Sequence, residues 1–251
     1  MVFPVNIHFG KLEIPLHLVF ELLAYTIGFR YFLFLRKKSV DSIQTENRIW
    51  ILIGAAIGAL IGSRLVGIFE NPDLFRNGNL QYILGNKTIV GGLLGGLIGV
   101  ELTKRFVKVY TSSGDLMTYP IILAIMIGRI GCFLEGLKDG TYGTASSLPW
   151  AINFGDGIPR HPVNLYEIIF LALLWICMKQ LERQFIFTDG SKFKIFLTAY
   201  LLFRFMLEFI KPDFKYIFQL GLIQLVCLAG LIYYRMVFIA PRSLLISRTK
   251  I

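Results

Sequence analysis

Charged residues are scarce in this sequence. Asp, Glu, Lys and Arg make up 17% of its 251 residues, whereas hydrophobic residues make up 55%. Soluble domains are usually somewhat under half apolar, so this composition excludes an ordinary soluble domain. The apolar residues fall into blocks of about 20, the length that a helix needs to cross a hydrocarbon core of roughly 30 Å. We therefore expect an all-α polytopic membrane protein with a single domain over residues 1–251.

Cysteines are also few. Cys132, Cys177 and Cys227 each lie within or at the edge of an apolar block. Their spacing fits neither a metal site nor a disulfide framework, and we expect them to be packing residues. The sequence places no histidine near any of them, so it does not suggest a covalent enzyme intermediate. The glycines lie in apolar segments with no phosphate-loop lysine after them, so we expect no metal, nucleotide or other cofactor.

Seven apolar segments are candidate membrane spans. Helices are expected in all of them, because a backbone in lipid must satisfy its polar groups within the segment. The first segment lacks a preceding basic region and a following cleavage site, so we expect it to be retained in the mature protein. The segments are 15–35, 49–69, 88–107, 116–135, 163–181, 194–210 and 217–239.

Lysine and arginine are distributed unequally between the two sets of segment ends. Fifteen lie at one set, and seven lie in the N-terminal segment and the loops near 70–87, 136–162 and 211–216. The positive-inside rule then predicts an N-terminus outside, a C-terminus in the cytoplasm and an outer loop region at about 136–162. The net charge of +10 is explained by these topology signals, which face anionic lipid, and not by a nucleic-acid partner.

A second group of charges lies inside the spans. A charge at the centre of a bilayer costs at least about 2.5 to 3.5 kcal/mol, so each one is a candidate functional residue unless it has a structural partner. Arg204 and Glu208 are four residues apart and can form an ion pair on one helix face. Two arginines on different helices would suit a phosphate, and a phospholipid is the nearest abundant one. The group comprises Arg30, Arg64, Arg129, Arg204, Glu21, Glu101, Glu135, Glu167 and Glu208.

Glycines recur at four-residue spacing in the second and third spans. Such spacing is typical of helices whose backbones approach closely, and a glycine-lined space for acyl chains or a headgroup is the alternative. The glycines are Gly54, Gly58 and Gly62 in the second span, and Gly91, Gly92, Gly95, Gly96 and Gly99 in the third.

Three motifs follow one another around the predicted outer loop. They are GRIGCFLEG at 128–136, LPWA at 148–151 and RHPVNLYE at 160–167. Their order and spacing resemble the signature of prolipoprotein diacylglyceryl transferases. The segments GSRL at 62–65, GGLLG at 91–95 and FRFMLEF at 203–209 extend the resemblance across most of the chain.

The resemblance implies an enzyme of the bacterial inner membrane. Such an enzyme transfers diacylglycerol from phosphatidylglycerol to the lipobox cysteine thiol of a prolipoprotein and releases glycerol phosphate. It implies that Arg129 and Arg204 hold the lipid phosphate, with Arg64 and Glu208 supporting the site. The expected catalytic residues are His161, Glu135, Glu208 and Tyr166, and the expected acyl or headgroup lining is Gly91, Gly92, Gly95, Gly131 and Gly136.

The sequence departs from the family pattern in its proton-handling parts. Val90 stands where the family has a histidine before its GGLIG segment, Cys132 replaces an asparagine, and Leu137 replaces an acidic residue, for which Glu135 is a possible substitute. The available bases are His161, Glu135, His17 and Glu21. These departures keep two alternatives open: a phospholipid-binding or lipid-translocating protein on the same fold, and a transferase with a different acceptor.

Overall fold

Helices make up most of the chain in the computed structural model, which describes residues 3–10, 12–39, 41–70 and 85–247. Within these residues a helix lies on each of the seven candidate spans. They are α1 (Leu16–Lys38), α2 (Thr45–Glu70), α3 (Ile89–Phe106), α4 (Thr118–Glu135), α5 (Val163–Gln184), α6 (Ser191–Leu207) and α7 (Leu222–Tyr233), and a short α8 (Met236–Ile239) follows.

Four helical segments of the described chain are long and apolar enough to cross a membrane. They are Leu16–Lys38, Thr45–Glu70, Asp115–Asp139 and Val163–Gln184, and Leu222–Tyr233 is a shorter apolar helix. The prediction of a helical membrane protein is thus confirmed, while the seven-span count and the orientation stay predictions.

Short antiparallel strands occur outside the helices. β1 (Asn6–Phe9) pairs with β2 (Leu12–Pro15) just before α1. β3 (Ile152–Asn153) pairs with β4 (Pro159–Arg160) inside the segment predicted as the outer loop. β5 (Phe185–Phe187) pairs with β6 (Leu245–Ser247) and joins the end of α5 to the C-terminal segment.

The glycines of α2 and α3 bring the two backbones into direct contact. A Cβ atom added to Gly58 would lie 2.3 Å from the carbonyl oxygen of Gly95, and one added to Gly91 would lie 2.4 Å from that of Gly62. The close-packing interpretation is confirmed at these positions. Gly91 and Gly95 therefore face α2 and leave no room there for a lipid chain, whereas an added Cβ at Gly92 would have its nearest neighbour at 3.7 Å.

The turn between α1 and α2 is held by the carboxylate of Asp41. Nε of Arg36 lies 2.9 Å from Oδ2 of Asp41, and Nε of Arg48 lies 3.0 Å from the same oxygen. Burial raises the pKa of Asp41, but hydrogen bonds from Arg48 and the N–H of Ile43 outweigh it, so the pKa lies below its usual value. Nη1 of Arg48 also donates to the carbonyl of Ser113 at 3.0 Å, which ties this turn to the segment before α4.

Candidate active site

The centre of the site is Glu167, in the second turn of α5 and only 1% exposed. Its Oε2 lies 2.9 Å from Nε of Arg129 on α4 and 3.0 Å from Nη1 of Arg204 on α6. The hydroxyl of Tyr200 donates to its other oxygen at 2.7 Å. Tyr200 and Arg204 share a face of α6 because they are four residues apart. One buried carboxylate thus joins three helices.

A second layer of charges lies at the C-terminal end of α6. Nη2 of Arg204 pairs with Oε1 of Glu208, which confirms the predicted ion pair. Lys211 Nζ lies 3.3 Å from Oε2 of Glu208, 2.7 Å from Oδ2 of Asp213 and 3.7 Å from Oε1 of Glu70. These three carboxylates therefore surround an ammonium group and are not an empty cation site.

The pKa values of the two loop residues in this layer reflect their pairing. Burial lowers the pKa of Lys211, but the carboxylate of Glu208 more than compensates, so the pKa lies above its usual value. Burial raises the pKa of Asp213, but the Lys211 ammonium outweighs it, so the pKa lies below its usual value. Both groups are therefore charged at neutral pH.

Three cations of the site face four carboxylates. Arg129, Arg204 and Lys211 face the carboxylates of Glu167, Glu208, Asp213 and Glu70. Each guanidinium carries five N–H donors, so one or two carboxylate contacts leave donors for a further anion. The carboxylates position the two forks and leave N–H groups that can donate to a further anion.

His161 and Tyr166 meet at the start of α5. The Tyr166 hydroxyl accepts a hydrogen bond from Nε1 of Trp150 at 2.7 Å and lies 3.1 Å from Nδ1 of His161. In the contact with His161 the donor is the hydroxyl or the ring N–H, according to which ring nitrogen carries the proton. Tyr166 precedes Glu167 on α5, so its side chain leaves the helix about 100° away from the arginine cluster. The structure thus joins the LPWA and RHPVNLYE motifs at this tyrosine.

The remaining expected site residues lie around this centre. Glu135 ends α4, and its Oε2 is buried with no hydrogen-bond partner among the described residues. Nη1 of Arg64 donates to the carbonyl of Asn86 at 3.2 Å. An added Cβ at Gly131 would lie 2.9 Å from Cβ of Phe20, so this glycine lets α1 and α4 touch. Gly136 ends α4 with φ +68°, a conformation that favours glycine.

Sequence reasoning missed two parts of this arrangement. The sequence places Glu167 among the intramembrane charges without indicating its role, and the only signal at Tyr200 is its position one turn before Arg204. The expectation that no histidine lies near a cysteine is wrong for Cys132. His17 Nε2 lies 4.0 Å from Sγ of Cys132, because α1 packs against α4.

Val90, at the position of the family histidine, is 1% exposed and belongs to the main apolar core. Tyr200 and Leu201 of α6 belong to the same core. Val90, which replaces the histidine, therefore contributes to the packing of the apolar core.

Comparison with known proteins identifies the family. A model of the prolipoprotein diacylglyceryl transferase family matches residues 4–240. Proteins named phosphatidylglycerol–prolipoprotein diacylglyceryl transferase are similar to the chain. The one from Geobacter sulfurreducens is 30% identical, covering 80% of this chain and 79% of that protein. The one from Bordetella parapertussis is 30% identical, covering 84% and 83%. The one from Vibrio parahaemolyticus is 32% identical, covering 80% and 75%. With its signature arginines gathered around one buried carboxylate and a match over nearly its whole length, this chain belongs to the prolipoprotein diacylglyceryl transferase family.

Proposed function

We propose that this protein transfers the diacylglyceryl group of phosphatidylglycerol to the lipobox cysteine thiol of a prolipoprotein. The observation that carries the proposal is the meeting of Arg129 and Arg204, from two helices, at Oε2 of Glu167. Rigidly held guanidinium groups suit a phosphate ester, because their planar forks donate parallel hydrogen bonds to its oxygens.

The reaction forms one bond and breaks another. The acceptor sulfur attacks the glycerol carbon that carries the phosphate, and the carbon–oxygen bond breaks with its electron pair going to the departing glycerol phosphate. Arg129 and Arg204 would stabilise the negative charge that develops on the phosphate oxygens. Glu167 positions both groups, and Glu208, just after α6, and Arg64, in α2, support the site.

The thiol proton must be removed during this step. His161 is our first candidate base, since in the tautomer whose Nδ1–H donates to the Tyr166 hydroxyl its Nε2 carries no proton and can accept that of the thiol. Glu135 is the second, as a carboxyl group at the end of α4 with a buried oxygen. Gly92 would lie along the path of the lipid, which enters laterally from the bilayer, whereas Gly131 and Gly136 pack against Phe20 and Phe3.

The same proposal includes the location and the membrane topology of the protein. The protein would be a single seven-span domain in the inner membrane of a bacterium, with its N-terminus and the 136–162 region facing outward. The membrane supplies phosphatidylglycerol, and the lipobox of the prolipoprotein signal peptide reaches the site from the outer side.

The test is a mass-spectrometric assay of the purified protein in phosphatidylglycerol vesicles with a lipobox peptide. We expect diacylglyceryl addition to the peptide cysteine and release of glycerol phosphate. Arg129→Lys keeps the charge but loses the fork, so it should abolish the product. Arg105→Lys, at the C-terminal end of α3, is the matched control and should keep it.

A second candidate function is phospholipid binding without transfer, and the packing of Val90 in the core favours it. Copurified phosphatidylglycerol with no product, in an assay where an active relative turns over, would establish that alternative and overturn the transferase proposal. Transfer to a different acceptor would appear as consumption of the lipid without modification of the peptide.

A further inference from the structure

Three potential metal ligands meet at the end of the bundle that carries the N-terminus. His17 lies in the first turn of α1, Cys132 in the last turn of α4, and Asp139 at the end of the turn that follows α4. Nε2 of His17 is 4.0 Å from Sγ of Cys132 and 3.5 Å from Oδ1 of Asp139. One ligand atom from each residue lies within 4.8 Å of the other two.

The arrangement differs from a proton relay. In a relay, histidine uses one ring nitrogen for the nucleophile and the other for the orienting carboxylate. Here Cys132 and Asp139 both approach the same nitrogen, Nε2 of His17. One donor atom from each of three residues, all within 4.8 Å of one another, is the arrangement that a single cation requires.

The distances and the chemistry of the donors select zinc. Tetrahedral zinc with bonds of about 2.3 Å to sulfur and about 2.0 Å to nitrogen and oxygen would place sulfur and nitrogen about 3.6 Å apart, and nitrogen and oxygen about 3.3 Å apart. The structure is within about half an ångström of both separations, which small side-chain rotations can close. Calcium and magnesium prefer oxygen ligands throughout, whereas zinc accepts this mixture of sulfur, nitrogen and oxygen.

The surroundings also suit a metal. The Thr141 hydroxyl donates to Oδ2 of Asp139, which leaves Oδ1 for the ion. Nη1 of Arg129 lies 3.8 Å from Sγ of Cys132 and can donate to a thiolate, while the charge of Arg129 is balanced by Glu167. The His17 side chain is 29% exposed, so the cluster is not sealed inside the protein. We propose that His17, Cys132 and Asp139 form a zinc-binding site.

Three protein ligands leave a fourth position for a substrate or water. In a step that rests on the proposed function and takes the place of proton transfer to His161 or Glu135, the acceptor cysteine occupies this position as a thiolate and its proton passes to water. The sulfur then attacks the glycerol carbon, and the carbon–oxygen electron pair leaves with the phosphate held by Arg129 and Arg204. Zinc would thereby supply the activated thiolate in a chain that has Val90 at the position of the family histidine.

Metal binding is tested first without any substrate. The full-length protein in detergent is stripped with a chelator, equilibrated with zinc chloride, freed of excess metal by gel filtration and analysed by mass spectrometry for zinc. We expect one zinc ion per chain, reduced to background in Cys132→Ser and His17→Gln. Cys177→Ser removes an exposed cysteine outside the site and should retain the metal. Background zinc in the unmodified protein, or full zinc in both site variants, would overturn the proposal.

Cobalt provides a readout that does not depend on the stability of the variants. Cobalt bound in place of zinc should give the sulfur-to-metal charge-transfer absorption of a thiolate ligand, and its absence from the loaded unmodified protein would exclude Cys132 as a ligand. Transfer activity is then compared before and after stripping. Zinc binding with zinc-independent transfer would leave the site in place but overturn the thiolate step, while failure of transfer under all conditions would bear only on the proposed function.

Discussion

Oε2 of Glu167 is shared by the guanidinium groups of Arg129 and Arg204, at 2.9 Å and 3.0 Å. The two cations come from different helices and would repel each other without the carboxylate between them. The carboxylate therefore does more than compensate charge, because it fixes the separation and orientation of the groups that would receive a phosphate.

Replacing Glu167 with Gln should destabilise the bundle and reduce transfer. The amide has nearly the same shape but no charge, and loss of one partner from a buried ion pair costs about 3–5 kcal/mol. We expect a clear fall in Tm in detergent and a loss of activity of tenfold or more. Glu182→Gln is the matched control on the same helix, since Glu182 pairs with Lys179 and Lys192 at 2.8 Å away from the cluster. Equal effects of the two changes would contradict a special role for Glu167.

Replacing Arg204 with Lys should impair the site while preserving its charge. Arg204 uses Nη1 for Glu167 and Nη2 for Glu208, and one ammonium group cannot reproduce this fork. We expect transfer to fall about a hundredfold, the size of effect seen when a preorganised donor is lost. Initial rates in vesicles measure it, with the exposed Arg183→Lys as control. Activity within twofold of the unmodified protein would show that only the charge matters.

Replacing Gly58 with Ala should separate α2 from α3. The new methyl group would lie 2.3 Å from the carbonyl oxygen of Gly95, so the helices must move apart, at a cost of about 1–3 kcal/mol. Gly92→Ala makes the same chemical change where the nearest atom is 3.7 Å away and should leave Tm nearly unchanged or slightly higher. Thermal unfolding of both variants gives the comparison, and similar Tm values would argue against the close contact.

Replacing Asp41 with Asn should destabilise the protein in a pH-dependent way. The pKa of Asp41 lies below its usual value in the folded protein, so its stabilising effect is present above the unfolded value of about 3.9 and is lost as the pH falls through the folded value. The Tm difference between Asp41→Asn and the unmodified protein should be full at pH 7 and shrink below pH 4. A difference that is constant across this range would show that the carboxylate charge is not responsible.

The helices and the contacts within a single helix could be predicted from the sequence alone. The apolar segments that became α1–α7 depend on runs of neighbouring residues, and the Arg204–Glu208 ion pair depends on helical spacing alone. Sequence spacing alone could not decide whether a given glycine packs against a neighbouring helix or lines a space for lipid. Gly91 and Gly92 are adjacent, yet an added Cβ would lie 2.4 Å from the nearest atom of α2 at Gly91 and 3.7 Å from it at Gly92, because the rotation of α3 about its axis decides how closely each residue approaches its neighbour.

The amino-acid sequence by itself determined that this is a helical membrane protein of the diacylglyceryl transferase family, since hydropathy and motif order are properties of the chain. Only the tertiary structure decided the partners within the site. Glu167 and Arg204 are 37 residues apart, and His17 and Cys132 are 115 apart. Such pairs arise from the packing and rotation of whole helices, which are set by many apolar contacts together and leave no spacing signal at the charged residues themselves.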